Sequence, residues 1–187
     1  MAVTPQSLPI TAASARSFVD SIDPATNQVV ARYQAAAPDD VPQAMERARR
    51  VQEEWSARSL AYRCAALLRL RDAIYSRRED IATIVSRETG KPRVEAIFAE
   101  VMLALDTTDF LARQAPAWLR PERVPHHNLA LRAKSGWTEF HPHGVVAIIS
   151  PWNYPFSIPI AQIVPALVTG NACLLYTSPS PRDRQKS

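Results

Sequence analysis

The 187-residue chain has two cysteines, four glycines and no long apolar run, and each scarcity excludes something. Cys64 and Cys173 cannot build a disulfide framework, so a reducing cytoplasm is the expected location. A membrane span needs about 20 consecutive apolar residues, and no stretch comes near that. The opening "MAVTPQSLPI" lacks the basic start and apolar core of a secretory signal. Gly90, Gly136, Gly144 and Gly170 are too scattered for G-x-G-x-x-G, so a conventional Rossmann fingerprint is absent. Charge of one sign is scarce as well. Of the net +4, half comes from the end of the chain, where Arg182, Arg184 and Lys186 outnumber Asp183. The remaining charges are interspersed along predicted helix faces, which describes a solvated surface and no nucleic-acid partner.

What remains is 47% hydrophobic and 21% charged, the balance of a soluble globular domain with its own core. Residues 17–20 and 28–34 read as two short strands around "DPATN", where Asp23, Pro24 and Asn27 are turn formers. "PDD" then starts a helix, with Asp39 or Asp40 as N-cap and Pro42 in the first turn. Val41, Ala44, Ala48, Val51 and Trp55 recur at helical spacing along one face. A second helix follows Ser59, breaks near Ser76 to Glu79, and stops at Gly90 with Pro92 beyond. A third runs from Val94 to about Ala115 and ends before Pro116.

After Pro121 the character changes. "LALRAKSGWTEFH" reads as a hairpin turning at Ser135-Gly136, with Trp137 and Phe140 on the returning strand. Val145 to Ile149 is a continuous apolar strand, the pattern of a sheet covered on both faces. A helix from Ile158 to Thr169 is expected to kink at Pro165 and close at Gly170, before another apolar strand from Ala172 to Leu175. Strand, helix, strand is a βαβ unit, so the class is α/β. The tail "YTSPSPRDRQKS" has no hydrophobic period and is not expected to continue a buried strand.

Four stretches carry a resemblance to the aldehyde dehydrogenase superfamily: "DPATNQVVAR", "ETGKP" (Glu88 to Pro92), "GVVAIISPWNYP" (Gly144 to Pro155) and "PALVTGNA" (Pro165 to Ala172). They lie in family order with family-like spacing, and "SPWNYP" paired with "PALVTGNA" is highly specific. The resemblance implies oxidation of an aldehyde to a carboxylic acid with NAD or NADP, through a cysteine thiolate and a thiohemiacetal. It implies that Asn153, the asparagine of Pro-Trp-Asn, donates a hydrogen bond to the developing oxyanion. It also implies that the backbone of Ile149, Ser150, Pro151 and Trp152 lies along the dinucleotide. On residue types alone, Asn153 also suits an ordinary strand-end turn.

The fold implied is the N-terminal part of an aldehyde dehydrogenase, truncated. Residues 1–16 form a flexible N-terminus and 17–120 a hairpin with a helical layer. Residues 121–143 form an oligomerisation hairpin, 144–175 the first βαβ elements of a parallel Rossmann-like sheet, and 176–187 a non-native tail. The family pattern continues past "GNA" into Lys-Pro-Ser-Glu, whereas here Tyr176 holds the lysine position. The family's nucleophilic cysteine, glutamate base and glycine-containing loop belong further along a full-length chain, whose expected state is a homodimer or homotetramer. Cys64 and Cys173 read as packing residues. His126, His127, His141 and His143 flank a hairpin without the convergent ligand set of a zinc site, so no metal is expected. Two other readings stay open on residues alone: a short non-catalytic helical interaction module, and a nucleotide-binding module.

Overall fold

The computed structural model describes residues 18–131 and 133–177. The expected N-terminal segment 1–16 and residues 178–187 of the expected non-native tail lie outside them. Strands β1 (Phe18–Ile22) and β2 (Val29–Gln34) pair antiparallel around the "DPATN" turn. Asp23 builds that turn: its Oδ1 accepts from the amides of Ala25 at 2.8 Å and Thr26 at 3.3 Å. Asn27 completes it at φ 58°, a left-handed conformation that asparagine tolerates better than most residues.

Helix α1 (Asp40–Ser56) starts at "PDD", but by a different route from a simple cap. The Asp39 side chain makes no capping bond; Asp40 Oδ2 instead accepts from the Ala37 amide at 2.9 Å. Ser59 caps α2 (Leu60–Ser76) by accepting from the Tyr62 amide at 3.2 Å. The helical course breaks at Arg77, and α3 (Arg78–Thr89) ends on Gly90 at φ +78°. The third helical stretch is longer and less regular than its periodicity predicts. It runs through α4 (Arg93–Glu95), a π-helical segment (Ala96–Met102) and α5 (Leu103–Trp118). Pro116 therefore lies inside the helix rather than beyond its end. A proline there forfeits the backbone donor that would reach the Ala112 carbonyl.

The hairpin after Pro121 also differs from expectation. Its strands are β3 (Glu122–Val124) and β4 (Gly136–Thr138), joined by a segment with a 3-10 turn at Leu129–Leu131. Ser135-Gly136 thus enters the returning strand instead of forming the turn, and Phe140 lies past its end.

Strand β5 (Val145–Ser150) runs parallel to β6 (Ala172–Thr177), with α6 (Ser157–Val168) between them in sequence. Pro165 is accommodated inside α6, and Gly170 at φ +91° follows it. β6 extends through Tyr176 and Thr177, further than an end at Leu175, though both added residues are exposed. The expectation of a sheet covered on both faces is corrected here. Along β5, Ile148 and Ser150 are buried while Ala147 and Ile149 are exposed, Ile149 at 73%. One face is packed and the other is open.

Two clusters form the core. Cys64, Leu67, Ala112, Ala115, Val164 and Val168 join α2, α5 and α6. Ile74, Ala82, Val85, Ala96 and Val101 form the second, against which Phe156 and Ile160 pack. This second cluster lies under the segment that follows β5. The first hairpin is fastened to the same region, since Ser21 Oγ donates to Glu88 Oε1 at 3.0 Å.

Gly90 is the tightest point of that junction. A Cβ there would lie 2.7 Å from Cγ of the Pro24 ring, in a left-handed backbone. Gly90→Ala is expected to destabilise the protein by at least about 1–2 kcal/mol from the backbone alone, read as a lower urea midpoint. An unchanged midpoint would mean that the turn does not rest on Gly90.

Candidate functional site

Strand β5 ends at Ser150, 1% exposed, which lies opposite Thr177 of β6 in the parallel register. The carboxyl ends of both strands therefore meet at one edge, where open α/β sheets place their ligands. Pro151 fixes φ just beyond the strand and Pro155 does so four residues later, so the intervening Trp152-Asn153-Tyr154 has little backbone freedom. Asn153 is exposed, and among the described residues its side-chain amide has no hydrogen-bond partner. Trp152 is 40% exposed beside it. Ile149 and Pro151 are exposed too, whereas the Ser150 hydroxyl is buried without a partner.

The loop is held from below by charge. Tyr154 is half-buried, and Lys91 Nζ stands 3.6 Å from the centroid of its ring. The same ammonium donates to Glu100 Oε1 at 2.7 Å. Glu100, in the π-helical segment, is fully buried, and its Oε2 accepts from the amides of Phe156 at 3.1 Å and Ser157 at 2.8 Å. Those amides belong to the start of α6, where backbone donors have no partner within the helix. A remote carboxylate thus supplies the cap that no local side chain provides. Removing one member of a buried pair of this kind costs about 3–5 kcal/mol, because the other charge is left uncompensated.

Lys91 and Glu100 are the residues that sequence reasoning missed. A signal was present: Glu100 sits four residues from Ala96 and from Ala104, on a face that is otherwise small and buried. Glutamate is almost never fully buried without a partner, so its presence there asks for a cation.

The sequence profile described as "Aldehyde dehydrogenase family" matches residues 10–181. The chain belongs to the aldehyde dehydrogenase family. It is 36% identical over 162 residues to a betaine aldehyde dehydrogenase of Rhizobium leguminosarum bv. trifolii, covering 87% of this chain and 32% of the relative. In structure it is similar to an NAD-dependent benzaldehyde dehydrogenase from Corynebacterium glutamicum. That match has a TM-score of 0.78 at 30% identity, over 87% of this chain and 34% of the other. It also shares its fold with a succinic semialdehyde dehydrogenase from Streptococcus pyogenes in complex with NADP+, at TM-score 0.77 and 24% identity, covering 89% of this chain and 36% of that one. The chain spans about a third of the length of the relatives it matches.

Within this aldehyde dehydrogenase segment, neither cysteine is placed to act at the strand end. Cys173 pairs with Val146, four residues before Ser150 and so roughly 13 Å from the carboxyl edge at 3.3 Å per residue. Cys64 is buried in the first core cluster. Burial pushes both thiols above the usual cysteine range, Cys64 despite the opposing charge of Arg63. A raised pKa keeps the neutral thiol at pH 7, and the thiol is the unreactive form. Among the described residues, no three His, Cys, Asp or Glu side chains gather where a metal ion could sit. The groove lined by Ala48, Val51, Trp55, Leu167, Cys173 and Leu174 lies between α1, α6 and the start of β6, away from Asn153.

Both thiols are accordingly expected to react with iodoacetamide at neutral pH more slowly than free cysteine. The difference should vanish in denaturant. Labelling at the free-cysteine rate in the native state would contradict the packing role.

Proposed function

We propose that the chain is the N-terminal part of an NAD(P)+-dependent aldehyde dehydrogenase, in which Asn153 stabilises the oxyanion formed when a cysteine from later in the full protein adds to the aldehyde. The observation that carries this reading is the exposed amide of Asn153 at the carboxyl edge of a parallel strand pair, on a loop whose ends are held. A donor fixed before the reaction pays no reorganisation cost as negative charge develops on the carbonyl oxygen. Tyr154, packed on the Lys91 ammonium, and Phe156, bonded to Glu100, keep the loop from collapsing into the edge it serves.

The residues at this edge fit a dinucleotide. Ile149, Pro151 and Trp152 are exposed, and the buried hydroxyl of Ser150 is left over at the same point. The backbone of Ile149, Ser150, Pro151 and Trp152 would lie along NAD or NADP, which when bound accepts the hydride from the aldehyde carbon. The open face of β5 and β6, with Ile149, Leu175 and Tyr176 exposed, supports a further layer packing on this sheet in the full protein. The free state of both cysteines supports a reducing cytoplasm as the working location.

The expected test is Asn153→Ala in the full-length enzyme. It should leave the melting temperature nearly unchanged and slow turnover by about two to three orders of magnitude. Turnover near wild type with cofactor still bound would remove the oxyanion role.

The hairpin of residues 121–143 is proposed as a contact between subunits of a homodimer or homotetramer. A two-stranded ribbon is marginal by itself, and this one leaves Trp137 and Phe140 each 59% exposed. Replacing both with serine is expected to shift the full-length protein toward monomer in sedimentation. An unchanged oligomer would place the contact elsewhere.

A further inference from the structure

We propose that Lys91 and Glu100 are positioning residues for the Asn153 amide, setting its aim through a clamp on both sides of the Tyr154–Ser157 segment. The inference rests on the oxyanion reading of Asn153 and extends it to two residues on other elements. The clamp has two jaws. Glu100 Oε2 holds the Phe156 and Ser157 amides, which fixes the chain three residues after Asn153. Lys91 Nζ, 3.6 Å from the Tyr154 ring centroid, fixes the residue immediately after it. The two jaws are one body, because Lys91 and Glu100 are joined at 2.7 Å.

Several features argue that this arrangement serves the loop and is more than a generic buried pair. Lys91 has two partners, one a carboxylate and one a ring of the loop itself, so the loop completes its environment. Glu100 spends one oxygen on Lys91 and the other entirely on the loop's end. It does so from a π-helical segment, a rare geometry that is frequent at functional sites. On the strand side, buried Ser150 anchors the other end of the segment. Asn153 is the exposed residue suspended between these anchors.

The anchoring reaches further back along the chain. Lys91 follows Gly90, whose left-handed turn is pressed against Pro24 of the first hairpin. Ser86 Oγ donates to the Lys91 carbonyl at 2.6 Å, so the backbone that carries the ammonium is itself tied to α3.

The test uses the full-length enzyme with Lys91→Met, Lys91→Arg, Glu100→Gln and Tyr154→Leu. The last variant leaves the ion pair intact and removes only the ring. Lys91→Met and Tyr154→Leu are each expected to lower kcat per cofactor-binding site by about tenfold to a hundredfold, the scale of an ångström-sized misplacement of a catalytic group. Cofactor Kd should be essentially unchanged, and Lys91→Arg should recover most of the lost kcat. Glu100→Gln should speed amide hydrogen exchange at Phe156 and Ser157 along with its loss of turnover. Wild-type kcat per binding site in Lys91→Met or Tyr154→Leu, even with a lower melting temperature, would overturn the positioning role and leave the oxyanion reading standing. A wild-type enzyme that binds cofactor but turns over no aldehyde would overturn both.

Discussion

A carboxylate with no access to water is costly unless it is paired and hydrogen-bonded, and Glu100 is in that position. Its bonds join three parts of the chain that also meet in the second hydrophobic cluster. Lys91 comes from the turn after α3, the two amides from the start of α6, and Glu100 itself from the π-helical segment. The second hydrophobic cluster supplies the low-dielectric surroundings that make these bonds strong, with Phe156 and Ile160 packed against it. Apolar packing could hold three helices together in several registers. The charged bonds are directional and satisfied in the packing observed here, and they end on the loop that carries Asn153.

Local chemistry made much of the fold legible. Asp23 and Asn27 marked a turn because each does something specific to the backbone there, one accepting amides and the other adopting positive φ. Ser59 and Gly90 marked helix ends for equally local reasons. The parallel pair was readable because its two apolar runs are separated by a helical period. Misreadings arose where tertiary context outweighed the local signal. Pro116 stays inside α5 although its ring removes a backbone donor there. The strands of the second hairpin sit at Glu122–Val124 and Gly136–Thr138, although Ser135-Gly136 resembles a turn, because pairing partners beyond the window decided the register. An apolar run at β5 predicted two covered faces, yet burial depends on what else is present to do the covering.

The site was legible to a different extent. Asn153 stands out because an amide between two aromatic residues and two prolines is a recognisable pattern, and the residue is exposed. The network beneath it was not visible in the same way. Lys91 belongs to a motif whose glycine and proline explain a helix end so well that the lysine reads as an ordinary surface charge. Glu100 lies between apolar neighbours with no sequence-local partner; its partners stand 9, 56 and 57 residues away. Pairings at that separation are properties of the folded shape.

Helix α1 shows what such separation means for how an element is held. None of its residues is fully buried, and Val41 and Val51 remain about half exposed. Its firm attachments are Trp55 Nε1 to the Leu167 carbonyl at 2.8 Å and Gln52 Nε2 to the Gly170 carbonyl at 3.0 Å, spanning 112 and 118 residues. Closing loops of that length carries an entropic cost that must be met before either bond forms. The helices α2, α3 and α5 meet one another in the two core clusters, whereas the firm hydrogen bonds of α1 reach α6 and the turn after it. Although it precedes α2 through α5 in the chain, α1 is thus held by the far end of α6, and it joins the helical layer to the parallel strand pair.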